Sequence, residues 1–312
     1  MINYAITFPG QGSQSLGMLK ELAGVFPLVK QTFEEASDVL AFDLWKLVQE
    51  GTESDLNRTD NTQPAMLSAG MAVGRVWKTH CNQSPSFLAG HSLGEYTALC
   101  FAGVLSFADA VKLVSTRGKL MQAAVSEGEG AMAAILGLDD ALVAEACQKA
   151  AQNQIVTPAN FNGPGQVVIA GHKNAVERAI SEAKQLGAKR TVLLPVSVPA
   201  HCALMKSAAE QFALVLNEVK MVSPSISVVH NVDVSVKTNP EEIKAILIAQ
   251  LSQSVRWTET VQFFVKKEIE CVLELGHGKV LTGINKRVDK NLNAMAVVDP
   301  QTLEQALKTL GA

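Results

Sequence analysis

The chain has 312 residues, 47% of them hydrophobic, which suits one large domain or one domain that carries a smaller one. Its 27 lysines and arginines nearly balance 30 aspartates and glutamates, for a formal net charge of −3. This balance argues against a nucleic-acid-binding protein and against a polybasic protein of the membrane surface.

Cysteine spacing and the N-terminal segment indicate the cellular setting. The five cysteines are scattered without C-x-x-C spacing, which fits a reducing compartment and predicts no metal site. No basic region precedes the first apolar run, and the first lysine is Lys20, so we predict no signal peptide. Apolar stretches such as 131–138 are too short to span a bilayer. We therefore expect a soluble, cytoplasmic protein that does not associate with membranes.

The first part of the chain alternates predicted strands and helices. A buried strand over 2–8 is ended by Pro9 and Gly10, and a second strand at 86–90 precedes a helix that starts at Ser92. Helical patterns also cover 16–23, 27–40, 43–50, 62–80 and 106–125. Strands separated by helices predict a parallel α/β sheet with ligands at the carboxyl ends of its strands.

The middle of the chain shows a different order of elements. Strands are predicted at 131–138, 154–159, 166–170 and 191–196, helices at 139–152 and 174–186, and a turn at 162–165. The order β-α-β-β-α-β is that of a ferredoxin-like unit. We predict an α/β fold in which residues 1–126 and 198–312 form a large, α/β-hydrolase-like domain with a parallel sheet. Residues 127–197 form an inserted ferredoxin-like α+β domain.

The last third returns to the large domain. It predicts helices at 203–217, 241–251 and 257–267 and strands at 226–230 and 271–275. The loop Gly-His-Gly at 276–278 and one final helix close the chain.

The most informative motif is Gly-His-Ser-Leu-Gly at 90–94, between the second strand and the following helix. Gly-x-Ser-x-Gly at such a junction is the pattern of a nucleophile elbow, in which the glycines permit a tight turn and the serine hydroxyl is exposed. Ser92 and Glu95 also form a Ser-x-x-Glu capping box, which any helix can use without catalysis. The motif alone leaves both interpretations open.

Arg117 interrupts the apolar face of the helix predicted at 106–125. That face is otherwise formed by Ala110, Leu113, Val114, Met121 and Val125. A buried guanidinium needs an anionic partner. The partner is either an internal carboxylate or the carboxylate of a substrate, which arginine binds with two parallel hydrogen bonds.

A catalytic serine requires a base, and two of the six histidines are serious candidates. The order serine, acid, histidine of α/β-hydrolases favours His277, with an acid such as Asp233. His201 lies where the chain returns from the inserted domain. Sequence logic alone does not choose between them.

Glycines on both sides of Gln11 permit the close backbone approach of an oxyanion-hole N–H.

Four features occur together and in order: Phe-Pro-Gly-Gln-Gly-Ser-Gln at 8–14, the elbow, Arg117 placed 25 residues after Ser92, and Pro-Ala-His at 199–201. Together they resemble the malonyl-CoA:acyl carrier protein transacylase family of fatty-acid synthesis and the acyltransferase domains of polyketide synthases. The resemblance covers essentially the whole chain.

The resemblance implies a role for each matching residue. It implies Ser92 as nucleophile, His201 as general base, Gln250 as the residue whose backbone carbonyl orients that base, Gln11 and Leu93 as backbone donors of the oxyanion hole, Arg117 as the carboxylate clamp and Asn160 as a pocket residue. It implies no metal and no cofactor. Two positions depart from the family: His277 stands where proline is common, and Ala200 occupies a position that varies with acyl selectivity.

The implied reaction is ping-pong transfer of a malonyl group from the coenzyme A thioester to the phosphopantetheine thiol of acyl carrier protein, through an acyl-serine. We expect a monomer that binds acyl carrier protein, with the basic pairs at 189–190 and 286–287 as candidate docking residues. The alternatives are a stand-alone polyketide-type acyltransferase, a serine thioesterase or hydrolase that uses Ser92 and His277, and a carrier-binding scaffold without catalysis.

Overall fold

A computed structural model describes residues 2–196 and 198–311. Over these residues the chain forms a mixed α/β fold with one parallel and one antiparallel sheet, as predicted. The strands are β1 (Tyr4–Phe8), β2 (Phe87–Gly90), β3 (Gly130–Leu136), β4 (Val156–Gly163), β5 (Gln166–His172), β6 (Arg190–Leu193), β7 (Val228–Val229), β8 (Cys271–Leu275) and β9 (Asn293–Val297).

Helices alternate with the strands along the chain. They are α1 (Lys20–Val25), α2 (Pro27–Leu40), α3 (Leu44–Glu50), α4 (Glu53–Asn57), α5 (Thr59–His80), α6 (Leu93–Phe101), α7 (Phe107–Ala123), α8 (Asp140–Ala151), α9 (Lys173–Gln185), α10 (Lys206–Asn217), α11 (Pro240–Gln250), α12 (Trp257–Lys266), α13 (Val280–Val288) and α14 (Pro300–Leu310). A short 3₁₀ turn at Ala203–Met205 precedes α10. No helix of the described chain is both long and apolar enough to cross a bilayer.

The five-stranded sheet is parallel, with strand order β7-β2-β1-β8-β9. All five residues of β1 are buried, as expected of a strand covered by helices on both faces. Because the strands run in one direction, their carboxyl ends meet at one edge of the sheet. The loops that follow Phe8, Gly90, Val229 and Leu275 are therefore neighbours.

The four-stranded sheet is antiparallel, with strand order β4-β5-β3-β6. Its side chains alternate between two faces. Ala133 and Ile135 of β3 belong to a core that the sheet shares with α8 and α9. Met132 of the same strand and Val168 of β5 belong to a second cluster on the opposite face, which includes Cys202.

Several predicted boundaries were wrong. The turn predicted at 162–165 contains only Pro164 and Gly165, because β4 continues to Gly163 through two register shifts against β5. Of the strand predicted at 226–230, only β7 pairs. The domain limits predicted at residues 1, 197 and 312 fall on residues outside the described part of the chain.

The sequence interpretation also missed α4, β9 and α14. The last of these carried a local signal, since Asp299 and Thr302 form a capping box and Pro300 occupies the first helical position. Strand β9 (Asn-Ala-Met-Ala-Val) lacks the β-branched and aromatic residues that mark a strand in isolation. It forms because it pairs with β8 at the sheet edge.

Candidate active site

The chain turns sharply between β2 and α6, and Ser92 lies at the turn with φ 52° and ψ −107°. This region is unfavourable for a residue with a side chain, so the surrounding structure must hold it. A Cβ at Gly90 would overlap the backbone of Gly94, and a Cβ at Gly94 would overlap the carbonyl oxygen of Phe8. Glycine is therefore a steric requirement on both sides of the serine.

The Ser92 side chain does not cap α6, so the capping-box interpretation is wrong. Its Oγ instead lies 2.7 Å from Nε2 of His201 and accepts a hydrogen bond from Nη2 of Arg117 at 3.3 Å. Its backbone N–H donates to Oδ1 of Asn231 at 2.7 Å, and Nδ2 of Asn231 donates to the carbonyl oxygen of Gly90. The elbow is thus fixed from the loop that follows β7.

His201 is buried and oriented by the main chain. Its Nδ1 lies 2.8 Å from the carbonyl oxygen of Gln250, which only accepts, so Nδ1 carries the proton. The lone pair of Nε2 then faces the hydroxyl of Ser92. Burial, followed by the positive charge of Arg117, lowers the pKa of His201 to about 3. The ring is therefore neutral near pH 7 and able to accept a proton.

Arg117 projects from α7 into the same site and is 1% exposed. Nη1 donates to Oε1 of Gln63 at 2.9 Å, and Nη2 donates to Oε1 of Gln250 at 3.0 Å. The guanidinium lies 5.2 Å from the ring centre of Tyr96. No carboxylate within residues 2–196 and 198–311 forms an ion pair with it. This arrangement does not support an internal ion pair and leaves the charge for an external anion.

Two backbone N–H groups border the serine. Leu93 is the first residue of α6, and the N–H of a first helical residue has no acceptor within the helix. Gln11 follows β1, where Gly10 approaches the carbonyl oxygen of His91 so closely that a Cβ would overlap it. Neither N–H has a hydrogen-bond partner in the described part of the chain.

A cavity of about 480 Å³ lies over these groups. Six of the seven predicted site residues line it: Ser92, His201, Gln11, Leu93, Arg117 and Asn160. Gln250 lies behind them and contacts Arg117 and His201. Met132 and Val168 of the antiparallel sheet complete the wall, so the cavity lies between the two sheets. The structure therefore brings the predicted site residues together.

The structure does not assemble the rival triad. Nε2 of His277 lies 2.7 Å from Oγ of Ser15, whereas the carboxylate of Asp233 accepts hydrogen bonds from Ser235 and pairs with Lys237. His277 therefore joins two loops near the cavity, and the residue that contacts the Ser92 hydroxyl is His201.

Sequence reasoning missed Gln63, Asn231, Glu95 and His230. All four are buried polar residues that contact the site or its supports. Gln63 carried a signal like that of Arg117, since it is a polar residue next to the apolar helical run at 64–67. The basic pairs at 189–190 and 286–287 are exposed, next to segments whose residues line the cavity, namely 194–196 and 280–284.

The family model named acyl transferase domain matches residues 6–304. The chain belongs to the acyl transferase domain family. This acyl transferase is 53% identical over 308 residues to the malonyl CoA-acyl carrier protein transacylase of Escherichia coli O157:H7, covering 99% of this chain and 100% of that protein.

Two solved structures are similar over nearly the whole chain. The acyl transferase is similar to the acyl carrier protein S-malonyltransferase of Vibrio cholerae, with 55% identity, a TM-score of 0.95 and coverage of 97% of this chain and 99% of that one. It is also similar to PlMCAT, a malonyl-transacylase in complex with its type II PKS acyl-carrier protein AntF. In that comparison the identity is 54% and the TM-score 0.97, with coverage of 98% of this chain and 99% of that chain.

Proposed function

We propose that this acyl transferase moves a malonyl group from malonyl-CoA to the phosphopantetheine thiol of acyl carrier protein, with an acyl-Ser92 intermediate. The observation that carries the proposal is the buried guanidinium of Arg117 beside the Ser92 hydroxyl, which forms no ion pair with a carboxylate of the described residues. It suits an acyl group whose far end is a carboxylate. The names of the relatives at 53–55% identity support the same donor and acceptor.

In the first half-reaction, Nε2 of His201 removes the proton of the Ser92 hydroxyl, and Oγ attacks the thioester carbonyl carbon. The backbone N–H groups of Gln11 and Leu93 donate to the resulting oxyanion; loss of one such donor costs roughly 3 kcal/mol in other enzymes. The tetrahedral intermediate collapses, the carbon–sulfur bond breaks, and His201 returns the proton to the departing thiolate. Coenzyme A leaves, and malonyl-Ser92 remains.

The second half-reaction reverses these steps. His201 takes the proton of the phosphopantetheine thiol, the thiolate attacks the serine ester, and the proton passes to Oγ of Ser92 as the ester bond breaks. No step requires a metal ion or an organic cofactor, and we propose that the enzyme uses none. A neutral carbonyl, that of Gln250, suffices to orient His201 because a thioester is more reactive than an amide.

We further propose the α/β-hydrolase-like description for the domain of residues 1–126 and 198–312 and the ferredoxin-like description for the insertion of 127–197. The separate apolar core shared by β3, α8 and α9 supports the division. The strand order β4-β5-β3-β6 is the order expected of a ferredoxin-like unit. We also propose that the protein is a monomer of the cytoplasm and that Asn160 contacts the acyl group in the pocket.

Fatty-acid synthesis is the proposed pathway. A polyketide-type carrier is the second candidate, because one similar solved structure is a complex with a type II PKS acyl-carrier protein. Rates of malonyl transfer to purified carriers of both kinds distinguish the two.

Acyl-enzyme trapping tests the proposed function directly. After brief exposure to an equimolar mixture of acetyl-, malonyl- and methylmalonyl-CoA, we expect intact-protein mass spectrometry to show malonyl as the main adduct. Peptide mapping should place the adduct on Ser92, and the Ser92→Ala variant should carry none. A protein without an adduct would revive the scaffold alternative, and a predominantly acetylated one would contradict the role of Arg117.

The pKa of His201 gives a second prediction. Because the pKa lies at about 3, well below its ordinary value of 6.5, we expect kcat/KM for malonyl-CoA to show no acidic limb near pH 6.5 and to fall only as the pH approaches 3. Between pH 6.5 and 3, the His201 side chain binds more protons in the unfolded chain than in the folded one. The free energy of unfolding therefore decreases as the pH falls through this interval. Short assays with parallel thermal melts separate the two effects. An acidic limb centred near 6.5 would show that the ring is not held neutral.

A further inference from the structure

Glu95 is a fully buried carboxylate that the mechanism above does not use. It lies in the first turn of α6, directly below the elbow. Oε1 accepts a hydrogen bond from Nδ1 of His230 at 2.7 Å, and Oε2 accepts from the backbone N–H of Asn231 at 3.1 Å. Oε2 also accepts from Nε2 of Gln250 at 2.8 Å. Three donors thus converge on one carboxylate, as burial of such a group requires.

The side-chain amide of Gln250 links Glu95 to Arg117. Its Nε2 donates to Glu95 and to the carbonyl oxygen of Ser92, at 3.1 Å for the latter. Its Oε1 accepts from Nη2 of Arg117. A carboxylate only accepts hydrogen bonds and a guanidinium only donates them. The amide therefore satisfies both neighbours in one orientation alone, and Glu95 provides the shorter of the two hydrogen bonds that hold its NH₂ group in that orientation.

This arrangement keeps the two buried charges apart. A direct contact between Glu95 and Arg117 would neutralise the guanidinium, whereas Gln250 between them contributes only a neutral oxygen. The amide holds the guanidinium in place without removing its attraction for an external carboxylate. The main chain of the same residue orients His201.

We propose that Glu95 is a positioning residue for acyl selectivity, which acts through the Gln250 amide to hold Arg117 where it meets the carboxylate of the acyl group. The inference rests on the proposed function. Without an acceptor at position 95, the Gln250 NH₂ group keeps only its 3.1 Å hydrogen bond to the carbonyl oxygen of Ser92, and the amide is held less firmly in this orientation. A rotated amide would point its NH₂ group at Arg117, so that two donors would face each other.

The test compares Glu95→Ala with Glu95→Gln and measures the ratio of malonyl to acetyl adduct formed in competition. Both variants remove the charge, but only glutamine restores an oxygen toward Gln250 and Asn231, while its NH₂ group donates to the other tautomer of His230. We expect Glu95→Ala to lower the ratio by about tenfold and Glu95→Gln to recover most of it. A purely structural role would slow both acylations equally and leave the ratio unchanged.

Two further variants complete the design. Gln250→Leu removes the amide but leaves Glu95 bonded to His230 and Asn231. This single variant should already lower the ratio of malonyl to acetyl adduct. Adding Glu95→Ala to it should lower the ratio no further. Gln250→Leu also tests the inference if Glu95→Ala does not fold. Glu35→Ala is the control, because this carboxylate pairs with Arg75 at 2.7 Å and neither residue lines the cavity, so the ratio should stay unchanged.

The outcomes distinguish failure of the proposed function from failure of the positioning role. Absence of a malonyl adduct on the wild-type protein would refute the proposed function itself. A wild-type protein that forms the adduct, with an unchanged ratio in Glu95→Ala or in Gln250→Leu, would overturn the positioning role alone. A ratio as low in Glu95→Gln as in Glu95→Ala would also overturn it, because the restored acceptor would then have no effect.

Discussion

Replacement of His201 with alanine should lower the rate of malonyl transfer by roughly 10³- to 10⁴-fold. His201 is the residue whose ring nitrogen lies 2.7 Å from the Ser92 hydroxyl, and without it the serine has no proton acceptor. The measurement is the rate of single-turnover acylation, which is monitored through the release of coenzyme A and through the mass of the protein. Folding of the variant is verified by its thermal unfolding curve.

His277→Ala is the matched control for this prediction. Its ring bonds Ser15 rather than Ser92, so we expect acylation within a few-fold of wild type and, at most, a slightly looser contact between two surface loops. If His277→Ala abolished transfer while His201→Ala retained it, the base would be His277 and the hydrolase-type alternative would be correct.

Replacement of Arg117 with alanine should lower kcat/KM for malonyl-CoA by roughly 10²- to 10³-fold and should raise acetyl transfer relative to malonyl transfer. The guanidinium is the cation held beside the nucleophile, so its loss leaves the malonyl carboxylate buried without a partner. Competition between acetyl- and malonyl-CoA, with both adducts quantified on one protein sample, measures the change directly.

Two variants on the same helix sharpen this prediction. Lys119→Ala removes one positive charge from the exposed side of α7 and should leave the acyl preference unchanged. Arg117→Lys keeps the charge but loses the forked geometry, so we expect intermediate activity with malonyl-CoA. Equal losses for malonyl and acetyl groups in Arg117→Ala would show that the guanidinium supports folding rather than selectivity.

A feature could be predicted from the sequence where its structural requirement lies within a short stretch of the chain. The elbow could be predicted because its glycines are required within five residues of each other, at a strand-to-helix junction. Arg117 could be singled out because a guanidinium on an apolar helical face violates the usual separation of charged and buried residues. The antiparallel sheet could be predicted because the order β-α-β-β-α-β of its elements is characteristic.

Contacts between distant segments could not be predicted in this way. The choice between His201 and His277 depends on which loop reaches the carboxyl end of β2, and residues 92 and 201 are far apart in sequence. Glu95 matched a capping box, and only the fold shows that it turns inward to Gln250, His230 and Asn231. Strand β9 was missed because its stability comes from pairing with β8 rather than from its own composition.

The two sheets divide the work of the cavity. The nucleophile and the guanidinium belong to the segments around the parallel sheet, whereas Met132, Val168 and Asn160 come from the antiparallel sheet. Under the proposed function, substitutions at Met132, Val168 or Asn160 should change the shape of the acyl pocket without altering the contacts of the Ser92 hydroxyl with His201 and Arg117. A search for variants that accept bulkier acyl groups should therefore begin at these three positions and at Ala200, which also lines the cavity, and should leave the turn around Ser92 unchanged.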